Sequence, residues 1–73
     1  MANHRVEAEV AGSVWRVEVK PGDAVEVGHV LMILESMKME IPVESPVTGR
    51  VAEISVVLEQ PVSEGQLLAV VTD

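Results

Sequence analysis

The chain repeats itself. Laid on itself with an offset of 37 residues, it matches without a gap: Val6, Glu7, Val10, Gly12, Val14, Val19, Val25, Gly28 and Leu31 recur as Val43, Glu44, Val47, Gly49, Val51, Val56, Val62, Gly65 and Leu68. Conservative matches fill the intervals: Val17 with Ile54, Val30 with Leu67, Ile33 with Val70 and Leu34 with Val71. A solenoid needs at least three copies to bury a core, and here there are two. The pair predicts two similar half-sheets closing on each other in one domain, residues 1–73.

What each copy folds into follows from its side chains. Sixteen residues are Val and the only aromatic is Trp15. β-Branched side chains pack well on a pleated surface and are restricted in helices, so the chain reads as all-β. Residues 14–19 alternate, with Trp15, Val17 and Val19 on one face and Arg16 and Glu18 on the other. Residues 51–56 repeat this, with Ala52, Ile54 and Val56 against Glu53 and Ser55. Period-two alternation marks a half-buried strand. Lys20-Pro21-Gly22-Asp23 reads as a turn, because Pro presets φ and Gly accepts positive φ. Glu59-Gln60-Pro61 holds the corresponding place in the second copy. Val30–Leu34 and Leu67–Val71 are continuous apolar runs, as expected of strands covered on both sides. The expectation is a small two-sheet sandwich or flattened barrel.

Charge and size narrow the function. Seventy-three residues bury only about 60% of the unfolded surface, which leaves little room for a deep cleft. A net charge of −7, with no basic cluster, repels phosphate backbones and anionic lipid, so neither nucleic acid nor membrane is an expected partner. With no Cys there is no disulfide and no thiolate metal site. No metal-ligand spacing, phosphate-cradling loop or nucleophile–base pair is present. His29 reads as a turn residue and His4 as part of a frayed terminus. No apolar stretch follows Met1, which predicts a cytoplasmic protein without a signal segment.

Between the copies lies Glu35-Ser36-Met37-Lys38-Met39-Glu40. If Met37 and Lys38 are a two-residue loop, Ser36 faces Met39 and Glu35 faces Glu40. Val30, Met32 and Leu34 then share a face with Met39, Ile41 and Val43, while Glu35, Glu40 and Glu44 line the other. A three-residue loop would mix the faces, a costly slip. Two-residue loops favour type I′ turns, so Met37 and Lys38 are expected to hold positive φ without glycine. That places Lys38 on the pseudo-symmetry point of the chain. An exposed turn withholds the desolvation that a nucleophilic lysine needs, so Lys38 reads as a substrate of modification. Met37 has nothing to pack on and suits a partner's pocket. Met39, on the apolar face, is also placed to pack at the edge of the core. Glu35 and Glu40 could guide a partner or simply form a solvated acidic rim.

The hexapeptide resembles the Glu-Ala-Met-Lys-Met signature of biotinyl domains, the biotin carboxyl carrier family. Val19, Gly22, Asp23, Val25 and Gly28 resemble the pattern that precedes the lysine in that family, and Val47, Gly49 and Val51 the stretch that follows it. The resemblance implies a flattened barrel of two four-stranded antiparallel sheets with two-fold pseudo-symmetry, a barrel-sandwich hybrid. It also implies biotin covalently attached to Lys38, with Met37 and Met39 as the flanking methionines read by the ligase; Glu35, Ser36 and Glu40 beside them are further candidate recognition residues. Biotin protein ligase would attach it, biotin carboxylase would load it and a carboxyltransferase would unload it. The chain would be a non-catalytic carrier. Ser36 stands where the family more often has Ala, and Glu59 where the second copy usually has Gly, which puts the conformation of that distal turn in question. The gapless repeat leaves no room for a protruding thumb loop, and the chain, lacking a Pro/Ala-rich N-terminal stretch, resembles a free-standing attachment protein or an excised domain. A lipoyl carrier would share the fold, but its lysine usually sits in an Asp-Lys-Ala setting. An unmodified interaction module is the remaining alternative.

Overall fold

The computed structural model describes residues 2–73, which form eight strands and no helix. They are β1 (Asn3–Glu7), β2 (Gly12–Val17), β3 (Ala24–Val25), β4 (Val30–Ser36), β5 (Met39–Glu44), β6 (Gly49–Ile54), β7 (Pro61–Val62) and β8 (Leu67–Thr72). One antiparallel sheet has the order β1-β8-β6-β3 and the other β5-β4-β2-β7. The repeat maps β1 to β4 onto β5 to β8, so each sheet takes strands from both copies. Neither half can close its core alone.

Both sheets are irregular at matching places. Trp15 is an extra residue in β2, since Val14 pairs with Leu34 and Arg16 with Ile33. Ala52 is its counterpart in β6, between Val51 (opposite Val71) and Glu53 (opposite Val70). A bulge of this kind turns one residue out of the alternation. The expected faces change accordingly: Val14 and Val51 are buried, while Trp15 is 44% exposed and Ala52 is also exposed. Val19 and Val56 do face the core, with Val17 and Ile54 packed against it.

The apolar runs have the same cause. Leu31 is the extra residue in β4 against β5, and Leu68 in β8 against β1. Each bulge points two successive residues inward, Leu31 with Met32 and Leu68 with Ala69, all fully buried. Covering on both sides is therefore not the reason for the runs. Val30, displaced by the bulge, leaves the face of Met32 and Leu34 and pairs with Glu44. The core between the sheets is otherwise aliphatic, with Leu31, Met32, Leu34, Leu68, Val14, Val51 and Val71 at its centre. Among the described residues its one buried polar side chain, Ser45, donates through Oγ to the Val47 carbonyl at 2.6 Å.

The turns follow the repeat too. The Asp23 N–H donates to the Lys20 carbonyl at 3.1 Å, with Gly22 at φ 97°. In the second copy the Gln60 N–H donates to the Val57 carbonyl at 3.2 Å, with Glu59 at φ 69°. The side chains of Asp23 and Gln60 accept from the N–H of Lys20 and Val57 respectively. Glu59 thus takes the left-handed conformation of the glycine it replaces. His4 is no frayed residue: it lies in β1, and its Nε2 is 2.9 Å from Asp73 Oδ2. His29 donates its N–H to the Glu26 carbonyl in a turn.

Candidate functional site

β4 and β5 form a hairpin whose register has Glu35 opposite Glu40 and Ser36 opposite Met39. Met37 and Lys38 alone make the turn, at φ 53° and 67°. Positive φ at both central residues is what a type I′ connection requires, because its twist matches that of the flanking strands. Asn-Gly would adopt it more easily. Here two residues with long side chains are held there by the strands on either side.

The hairpin is fastened on one flank. β5 is the outer strand of its sheet, so the support comes through β4 from β2. Ser13 pairs with Glu35, and the Ser36 hydroxyl donates to the Ala11 carbonyl at 2.8 Å. Gly12 makes the approach possible, since a Cβ there would run into the Glu35 carbonyl oxygen and lie 3.3 Å from Ser36 Cβ. The repeated Gly12 and Gly49 were a signal of close backbone approach, but their sequence positions did not name the neighbour. Likewise Ser36, expected to act in recognition, has its hydroxyl committed to the fold.

At the tip, side chains point into solvent. Met37 is 92% exposed and Lys38 is exposed, with no hydrogen bond or ion pair to any described residue. Met39 is 64% exposed: it lies on the apolar face as expected, yet beyond the edge of the core rather than packed on it. Glu35 and Glu40 are exposed on the opposite face, and neither pairs with Lys38. The hairpin brings together all six of the residues Glu35 to Glu40. What this arrangement offers chemically is a primary amine on a braced turn, open to an activated acyl group and flanked by two thioethers. Among the described residues, no group of three or more His, Asp or Glu side chains could hold a metal.

The model of the biotin/lipoyl family, described as "Biotin-requiring enzyme", matches residues 3–71. The chain belongs to this family. A biotin/lipoyl relative from Mycobacterium leprae (strain TN), the "Biotinylated protein TB7.3 homolog", is 46% identical over 67 residues, covering 92% of this chain and 94% of the relative. The "Biotin/lipoyl attachment protein" of Bacillus subtilis (strain 168) is 44% identical over 63 residues, 86% of each chain. Among solved structures, the Kluyveromyces lactis urea carboxylase superposes with a TM-score of 0.93 at 30% identity, over 99% of this chain. A single-chain, multi-domain long-chain acyl-CoA carboxylase gives 0.88 at 31% identity, over 96%. This biotin/lipoyl chain corresponds to only 6% and 7% of those two proteins.

Proposed function

We propose that Lys38 carries biotin as an amide on Nζ, and that the chain is a carboxyl carrier loaded by a biotin carboxylase and unloaded by a carboxyltransferase. The observation that carries this reading is the unpartnered amine at the tip of a two-residue turn in a biotin/lipoyl fold. Lys20, the other lysine, is held in a turn with its Nζ 3.1 Å from Asp23 Oδ1. The residues at the tip fit the group: the amine is free, and the exposed Met37 and Met39 give a biotin protein ligase apolar handles on either side. Glu35 and Glu40 add an acidic border. Ser36 takes part by holding the hairpin in place.

Attached biotin supplies a ureido nitrogen that can bear a transferable carboxyl group. The chain's own residues do the rest. The braced hairpin aims Lys38 outward, and amide formation removes the charge that would oppose entry into a partner's dry site. Tethering keeps the local concentration of the group high at both enzymes. The chain acts as carrier rather than catalyst, and works in the cytoplasm beside the enzymes that load it. No helix of the described residues is long and apolar enough to cross a membrane.

Co-expression with biotin protein ligase, followed by intact mass and peptide mapping, is expected to find one biotin, on Lys38. Lys38→Arg should abolish loading and leave the fold intact, because substitutions in an exposed turn usually shift stability by less than about 0.5 kcal/mol. Lipoyl in place of biotin would assign the chain to the other branch of its family. A Lys38→Arg protein that melts far below the wild type would give Lys38 a structural role.

A further inference from the structure

A groove of about 400 Å³ opens beside β5, between it and the segment that runs from β1 toward β2. Small-molecule sites fall between about 300 and 1,000 Å³. Leu34 and Val6, both buried, form the floor, while Ile41 and Val43 of β5 and Val10 across from them form half-buried apolar walls. Ile41 and Val43 continue a stripe that begins with exposed Met39, because alternate residues of a strand share a face. An apolar track therefore leads from the residue beside Lys38 into the groove.

The distances suit an arm anchored at Lys38. Ile41 is three residues away, roughly 10 Å along a strand. A biotinyl-lysine side chain has roughly eleven bonds between Cα and the ring, on the order of 14 Å when extended. The ring can thus lie level with Ile41, its far side toward Val43, after the arm bends back over Met39. The rim is acidic: Glu7, Glu9 and Glu44 border the groove against Arg5, whose Nε is already paired with Glu7 at 3.1 Å. A ring bearing a carboxylate is repelled there, and an uncharged ring is not.

We propose that this groove is a resting site for the chain's own biotin arm, holding the uncarboxylated ring on β5 between visits to partner enzymes. It rests on Lys38 being the attachment residue, and the test separates the two. Apo and biotinylated protein are compared by amide and methyl NMR, after peptide mapping of the same samples. In the biotinylated form, the methyl resonances of Ile41, Val43 and Val10 should shift and show contacts to biotin protons. Ile41→Glu in the biotinylated chain should cancel the shifts of Val43 and Val10 while Met37 and Met39 still report the attached arm. If Ile41→Glu does not fold, the wild-type pair decides alone. Changes confined to residues 36–40, with Lys38 fully biotinylated, would overturn the resting site and leave the carrier reading standing. Biotin absent from Lys38 would overturn both.

Discussion

Met37, Lys38 and Glu59 are the described residues other than glycine that hold positive φ, and each pays a steric penalty on the order of 1 kcal/mol. At Glu59 that strain has no counterpart in the first copy, where Gly22 occupies the same turn. Glu59→Gly should therefore stabilise the fold by less than about 1 kcal/mol in urea unfolding, because part of the relief is offset by the greater freedom of glycine in the unfolded chain. A loss of stability would show that the Glu59 side chain contributes more than its backbone costs. At the tip the strained pair sets direction. Adjacent positions of a two-residue turn differ in backbone angles, so exchanging them by Met37→Lys with Lys38→Met re-aims the amine at constant composition. Loading by biotin protein ligase should fall at least ~100-fold, the scale of a 1 Å misplacement of a reacting group. Loading at the wild-type rate by a folded variant would mean that the ligase reads a flexible segment.

Among the elements, the β4–β5 hairpin depends on β2 because β5 has no neighbour on its outer side. Gly12 and Gly49 are equivalent in the repeat, and a Cβ at either meets backbone: Glu35 for Gly12, Thr72 and Asp73 for Gly49. Neither glycine has positive φ, so the constraint is steric. Gly12→Ala and Gly49→Ala should each cost about 1–3 kcal/mol, the range for overpacking where neighbours cannot yield. Their effects on function should differ. Only Gly12 abuts the strand that leads into the Lys38 turn, so Gly12→Ala should slow ligase loading at a temperature where both variants are folded, and Gly49→Ala should not. Equal loading rates would show that the tip is insensitive to its bracing strand.

Over the whole molecule, 36 Å long and 18 by 17 Å across, the two-fold that relates the copies carries the hairpin tip onto the paired ends of the chain. Where the hairpin has a covalent turn, the ends have side-chain links. The His4 ring lies 2.9 Å from Asp73 Oδ2, the Ala2 N–H donates to Asp73 Oδ1 at 2.7 Å, and Thr72 Oγ1 donates to Asn3 Oδ1 at 2.8 Å. The His4 contact, and then the Ala2 N–H, hold the Asp73 carboxyl below its ordinary value of 3.8. A carboxylate depressed in the folded state contributes stability that is present above its unfolded value and lost as pH falls through the folded one. Asp73→Asn should accordingly lower the melting temperature at neutral pH, with the difference from wild type closing as pH drops below 3.8. A difference independent of pH would assign the effect to packing at the chain ends.

Periodicity and repetition are local in the sequence, and they determined a great deal. The all-β class, the two-fold relation, the two-residue turn, positive φ at Met37 and Lys38 and the pairing of Glu35 with Glu40 were all legible, since face alternation and a 37-residue offset need no knowledge of distant contacts. The lysine at the pseudo-symmetry point was legible for the same reason. Only the tertiary structure decided the rest. Trp15 and Ala52 face solvent because bulges appear only when strands of unequal residue count are paired, and no strand shows that by itself. Met39 stays exposed because the core ends before the hairpin does. The Ser36–Ala11 hydrogen bond, the seat of Gly12 against Glu35 and the His4–Asp73 contact join residues 25, 23 and 69 positions apart. Such contacts arise from closing the two half-sheets on each other, and local patterns carry no record of which backbone atoms will then meet.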